Sequence, residues 1–169
     1  MHSIDRRSFL AALPLALVAC SGGASESQAS SAQQGAASQL APLSQEATLV
    51  TVHKTPTCGC CNAWIDHLRE AGFAVETIDV ADTTPVARRL GVPDDLRSCH
   101  TAEVDGYAIE GHVPASDIRR LLIERPTAAG LSVPGMPIGS PGMEMGGQRD
   151  SYQVMRFDRH GNTAIFASY

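Results

Sequence analysis

The stretch TLVTVHKTPTCGCCNAWIDHLREAG, residues 48–72, decides how this chain is read. Its first six residues are β-branched or apolar and predict a buried strand over 48–53. Trp64, Ile65, Leu68 and Ala71 then recur at helical spacing, and Gly72 is placed to end the helix. Between strand and helix lies KTPTCGCC, residues 54–61, with Cys58, Cys60 and Cys61. Three thiols therefore sit at a helix N-terminus, where free N–H groups and the helix dipole favour thiolate.

Working outward toward the C-terminus, FAVETIDV (73–80) reads as a second strand. TTPVARRLG (83–91) reads as a second helix, with Pro85 near its start and Gly91 past its end. TAEVDGYAIEGH (101–112) predicts a hairpin turning on Asp105-Gly106, and PASDIRRLLIERP (114–126) a third helix, opened by Pro114 and closed before Pro126. Strand, helix, strand, helix, hairpin, helix is the order of a thioredoxin-like α/β domain, with its cysteines after the first strand, where that fold keeps its redox site. YQVMRFDRHGNTAIFASY (152–169) predicts an added C-terminal β-hairpin turning at His160-Gly161. Before it, residues 130–150 hold six Gly, three Pro and three Met. They read as one long Gly/Pro/Met-rich loop, a length that inside a domain implies either function or disorder.

Working outward toward the N-terminus, residues 21–47 are almost wholly Ser, Ala, Gln and Gly. They cannot bury enough apolar surface to offset their ordering entropy, and read as a flexible tether. Residues 1–20 carry Arg6 and Arg7, an apolar run from Phe9 to Val18, and LVAC ending at Cys20. This is the pattern of an export signal with a lipoprotein cleavage site, which makes Cys20 the lipid-bearing residue. The arginine pair fits a twin-arginine signal or the basic region of an ordinary one. The apolar run is about half the length of a membrane-spanning helix. The organisation expected is thus a signal over 1–20, a tether over 21–47 and one domain over 48–169. The location expected is a periplasm-facing lipoprotein of the bacterial envelope, held to the membrane by lipid alone. Ser21 after Cys20 is compatible with the outer membrane of a Gram-negative cell. Without residues 1–20 the chain has 11 basic against 17 acidic residues. That balance argues against nucleic acid as a partner.

Apart from Cys20, four cysteines remain: Cys58, Cys60, Cys61 and Cys99. In a thioredoxin-like layout the segment before the third strand lies beside the first helix, so Cys99 is expected next to the CGCC turn. Three chemistries compete for these sulfurs. A thiol-disulfide oxidoreductase would use Cys58 and Cys61 as its CxxC pair. Cys60 invites scrambled pairing, and Cys99-His100 occupies the place where such enzymes keep a proline. A structural zinc site would want its cysteines two to four residues apart, and adjacent cysteines chelate one ion poorly. A multinuclear Cu(I) site suits the spacing best. One thiolate bridging two ions lets a single short turn supply several ligands, and Cu(I) prefers thiolate and thioether. Bound metal would also protect thiols from the oxidising compartment.

The remaining candidates are weaker. His100 and His112 fit either metal ligation or proton relay, or a hydrogen-bonded structural role, and His112 is read as structural. His53 at the end of the first strand is a candidate to face the site, while His67 and His160 read as solvent-facing. Met136, Met143 and Met145 supply thioethers that suit Cu(I), or else pack the loop onto the domain.

The segments KTPTCGCC, SCHTAEVDGYAIEGHVPASDIRRLL and RPTAAGLSVPGMPIGSPGMEMGG with the final hairpin resemble, in the same order, the periplasmic copper-resistance proteins called CopG. The resemblance covers residues 49–169. It implies a thioredoxin-like fold, copper held in a multinuclear thiolate cluster, and a role in copper tolerance, with storage, transfer and copper redox chemistry all left open. It also implies other envelope copper-handling proteins as partners. Carried over, the ligands fall on Cys58, Cys60, Cys61 and Cys99. His53 departs from the family's pattern, which commonly has Tyr there.

Overall fold

The computed structural model describes residues 47–169. The export signal, Cys20 and all of the tether but its last residue lie outside the described residues. Strand β1 (Leu49–Lys54) is followed by helix α1 (Gly59–Glu70), strand β2 (Ala74–Asp79), helix α2 (Thr84–Leu90) and a single 3-10 turn (Asp94–Leu96). Then come β3 (His100–Val104), β4 (Tyr107–Glu110), α3 (Ala115–Glu124), β5 (Gly130–Ser132), β6 (Gln153–Phe157) and β7 (Thr163–Ser168). The strands form one mixed sheet in the order β2-β1-β3-β4-β5-β6-β7.

Local sequence accounts for most boundaries. α1 buries Cys61, Trp64, Ile65 and Leu68, one stripe at i, i+3, i+4 and i+7. It stops at Gly72, whose φ of +87° lets the Phe73 N–H reach back to the Leu68 carbonyl at 3.0 Å. α2 ends the same way at Gly91, with Val92 N–H on the Ala87 carbonyl at 2.9 Å. Asp105 and Gly106 both have positive φ, the geometry that closes a two-residue hairpin between β3 and β4.

Residue alternation then sorts the layers. Val50, Val52, Ala102, Val104 and Ile109 pack under α1 and α3 through Trp64, Leu68, Ile118 and Leu121. On the opposite face Ala108 and Phe157 pack with Ala87 and Leu90 of α2. The C-terminal hairpin extends the sheet from β5 and docks on α3: Tyr169 Oη donates to the Asp117 carboxylate at 2.8 Å, and an Arg120 guanidinium N–H to the Phe166 carbonyl at 2.7 Å. No helix among the described residues is long and apolar enough to cross a membrane.

Register explains why the cysteines meet. β1 and β3 are antiparallel neighbours with Lys54 opposite His100. The chain leaving β1 into the CGCC turn and the chain entering β3 from Cys99 are therefore at the same end of the sheet. β4 runs back antiparallel to β3, with Glu110 opposite Thr101, and delivers His112 to that end too.

Two expectations need correction. The span 130–150 is not a single loop, because Gly130–Ser132 forms β5 between β4 and β6. Three residues beginning with glycine, buried on both faces, carry no alternation to read. His67 is not solvent-facing: half-buried, its Nε2 accepts the Ala115 N–H at 3.1 Å and so caps the start of α3.

Gly130 gives this architecture a direct test. A Cβ placed there would collide with the Ala108 carbonyl oxygen and press the Phe157 ring. Gly130→Ala should lower stability by about 1–3 kcal/mol, read as a reduced urea midpoint with an unchanged slope. An unchanged midpoint would mean that β5 does not sit in this pairing.

Candidate metal centre

Cys99 is the hub of the site. Its Sγ lies 3.6 Å from Cys61 Sγ and 3.9 Å from Cys60 Sγ, and Cys60 Sγ lies 3.6 Å from Cys58 Sγ. Cys58 and Cys61 are joined as a disulfide, while Cys60 and Cys99 carry free thiols. The ligand atoms of all four cysteines fall within 4.8 Å of one another, and those of Cys99, His100 and His112 form a second such group. The structure thus brings together the four sulfurs that the sequence singled out.

The histidines form a proton-ordered wall behind Cys99. His112 Nδ1 is 2.8 Å from the Pro141 carbonyl, which accepts only, so the ring proton is assigned to Nδ1. His112 Nε2 is then a bare lone pair 3.2 Å from Cys99 Sγ. A ring nitrogen fixed by a carbonyl on its far side is the usual posture of a metal-ligating histidine. His100 presents Nδ1 to Cys99 Sγ at 3.3 Å, and its buried Nε2 has no partner. The indole of Trp64 packs on His100 with ring centroids 4.4 Å apart and donates its N–H to the Val113 carbonyl at 2.9 Å. Sequence reasoning counted His112 as structural. Its placement against Cys99 is set by strand register and by a carbonyl 29 residues away, neither of which leaves a local signal.

Electrostatics keep this wall neutral in the metal-free protein. Burial, reinforced by the nearby Cys60, pushes the Cys99 thiol up to about 12. Burial, with His112 beside it, holds His100 down to about 3, and burial likewise lowers His112. Among the described residues the partners of Cys99 Sγ are Cys60, Cys61, His100 and His112, with no lysine or arginine to supply a positive charge. A soft cation that displaces the thiol proton would supply that charge.

The Gly/Pro/Met segment folds over the same end of the sheet. Gly142 rests on the first turn of α1, where a Cβ would lie 2.6 Å from the Trp64 amide nitrogen and 2.9 Å from the Cys60 carbonyl oxygen. Gly135 donates its N–H to the Arg97 carbonyl at 3.1 Å and accepts from Ser98 Oγ. Met143, next to Gly142, is half-buried, whereas Met136 and Met145 stand 53% and 56% exposed. His53 does not join the site. It pairs with Thr101 on the α2 face of the sheet, among Arg89, Glu103 and Glu76. His160 is exposed in the β6–β7 turn.

The donor set fits a metal. Two thiolates bound tetrahedrally to one ion at about 2.3 Å each are about 3.8 Å apart, close to the separations here. With Cys58–Cys61 reduced, the site offers four thiolates and His112, a soft, polarisable set.

Fold and donors together define a single-sheet α/β protein with a clustered cysteine site of metal-ligand geometry. A family model described as "Protein of unknown function, DUF411" matches residues 96–143, a span that holds Cys99, His100 and His112 but not the CGCC turn. Curated proteins give no match. Two solved structures, of the copper resistance protein CopG in form 2 and form 1, are 48% and 49% identical to this chain. Each aligns over 73% of this chain, and over 99% and 98% of its own length, with a TM-score of 0.70. The chain belongs to the CopG-like family of copper-resistance proteins.

The depressed His100 yields a signature for the metal-free protein. Unfolded, this imidazole titrates near 6.5, whereas folded it stays neutral down to about 3. Its contribution is therefore complete above pH 6.5 and drains away as the pH falls, by up to about 1.4 kcal/mol per unit. Urea unfolding of chelator-treated protein from pH 7 to pH 5 should show this loss. His100→Phe, which keeps a ring against Trp64, should show a shallower one, and equal slopes would contradict a buried neutral His100.

Proposed function

We propose that this protein is an envelope copper-binding protein that holds Cu(I) in a multinuclear cysteine-thiolate site and contributes to copper resistance. The observation that carries this reading is the convergence of Cys58, Cys60, Cys61 and Cys99 around one point, with non-bonded sulfur contacts of 3.6–3.9 Å beside the Cys58–Cys61 disulfide. Membership in a family whose solved members are named for copper resistance supports copper over zinc. So does the chemistry of the donors, since thiolate and thioether sulfur favour Cu(I).

Each residue has a task in this reading. Cys60 and Cys99, the two free thiols, would hold the metal first. Cys58 and Cys61 complete the ligand set once their disulfide is reduced. His112, its tautomer fixed by Pro141, takes up the Cys99 proton or an ion. Met143 follows Gly142, which packs on Cys60, and the loop from 133 to 150 would cover the site. The thioredoxin-like assignment belongs to this proposal as well. It is supported by the order β2-β1-β3-β4, with β1 and β2 parallel and the cysteines between β1 and α1. We place the protein at the periplasmic side of the envelope, tethered through lipid on Cys20, with copper ions and other envelope copper-handling proteins as its partners.

A competitive titration against a chromophoric Cu(I) chelator tests the reading. The reduced parent should bind Cu(I), and Cys60→Ser with Cys99→Ser together should weaken binding by about a hundredfold or more. Equal affinity for the two would refute a shared thiolate site. The copper-to-protein ratio and copper oxidation state of freshly isolated protein then distinguish storage and transfer from redox cycling.

One observation favours a second reading, a thiol-disulfide oxidoreductase: Cys58 and Cys61 are already paired at the N-terminus of α1. Insulin reduction separates the two. Turnover that survives Cys60→Ser supports the exchange enzyme, and no turnover in metal-free protein supports the copper site.

A further inference from the structure

Glu110 is a completely buried carboxylate with no part in the chemistry described above. It projects from the end of β4 on the α2 face of the sheet, and its two oxygens are filled by three donors. Oε1 accepts from the Ser98 backbone N–H at 2.7 Å and from Arg97 Nε at 3.1 Å. Oε2 accepts from Thr101 Oγ1 at 2.6 Å. Counted from Cys99, these donors stand at positions −2, −1 and +2. The carboxylate thus grips the chain on both sides of the hub cysteine and touches none of the ligands itself.

The grip matters because this piece of chain has little else to define it. The 3-10 turn ends at Leu96 and β3 starts at His100, so residues 97–99 have no ladder or helix to fix them. On one side the Arg97 carbonyl and Ser98 Oγ hold to Gly135 of the covering loop. On the other, Arg97 reaches Thr83 Oγ1 at 3.1 Å, tying the segment to the start of α2. The Ser98 N–H has Glu110 as its partner and would be orphaned without it. An ion pair serving stability alone would need only Arg97. A bond to the amide immediately before Cys99 instead fixes the direction in which the cysteine leaves the backbone.

We propose that Glu110 is a positioning residue for the metal centre: through Arg97, Ser98 and Thr101 it sets where Cys99 Sγ stands relative to Cys60 and Cys61. The proposal rests on the copper-site reading for its functional consequence, while its geometric content is independent of metal. Holding Cys99 3.6–3.9 Å from two sulfurs brought in by another element demands a segment that does not drift by even an ångström.

Two measurements on the full-length chain carrying Cys20→Ser test it. The first is Cu(I) affinity by chelator competition. Glu110→Ala should bind about tenfold or more weakly, approaching Cys99→Ser, whereas Glu110→Gln, which keeps an acceptor for Ser98, should stay within about twofold of the parent. The second needs no copper. With Cys58→Ser and Cys61→Ser in place, diamide closes the remaining Cys60–Cys99 pair, followed by mass spectrometry. Glu110→Ala should slow that closure about tenfold and Glu110→Gln should restore it. If the reduced parent takes up no copper, the functional reading fails while the closure rates still judge the clamp. A folded Glu110→Ala with parental closure and affinity overturns the proposal. Should Glu110→Ala not fold, Thr101→Val, which removes one of the three bonds, should shift both readouts about threefold, and no shift there is equally fatal.

Discussion

The antiparallel pairing of β1 with β3 is the constraint on which the rest of this structure depends. With Lys54 opposite His100, the exit of one strand and the entry of the other share one end of the sheet. A slip of one residue would reverse which face each side chain of β3 meets. His100 would leave Trp64, and Thr101 would leave the buried carboxylate of Glu110. The cysteine site is thus a by-product of register, and register is specified by the apolar residues of both strands. Val50 and Val52 face the same layer as Ala102 and Val104, and all four are essentially inaccessible to water. The core that stabilises the sheet is the same core that aligns the sulfurs.

That dependence explains how a short, glycine-containing turn can serve as a ligand platform. CGCC has no side-chain cap at the start of α1 and is closed on itself by the Cys58–Cys61 disulfide. The turn is also pinned from outside, by Gly142 against the Cys60 carbonyl and by Cys99 against Cys60 and Cys61. Glycine at 142 is required twice over, because its φ is +83° and because no Cβ fits between loop and helix. The covering loop is therefore packed to backbone contact at Gly142 and hydrogen-bonded at Gly135 and Pro141, while Met136 and Met145 are left exposed.

Much of this was legible in the sequence, and the boundary of legibility is physical. Helix ends at Gly72 and Gly91 and the Asp105-Gly106 turn are local, because positive φ selects its residues within a few positions. The meeting of Cys99 with the CGCC turn was legible only through the element order, which implies which strands neighbour one another. β5 was not, since three residues enclosed by neighbours show no alternation. Nor were His67, His112 and Glu110: a histidine that caps a helix 48 residues away looks the same in sequence as one in water. The sulfurs declared themselves by chemistry, and their supports did not.

The supports decide what the sulfurs can do. In the metal-free state Cys99 lies against the imidazoles of His100 and His112, both held neutral by burial, and its own thiol is raised by burial and the nearby Cys60, so its proton is retained. Simple disulfide exchange wants the opposite, a thiol acidified by a nearby positive charge. A cation bound at the site would change the balance, because it would replace the proton and supply the missing charge. That environment bears on Cys99 alone: disulfide exchange would run through Cys58 and Cys61, already paired at the start of α1, whereas the His112 nitrogen 3.2 Å from Cys99 Sγ offers a further donor to a metal.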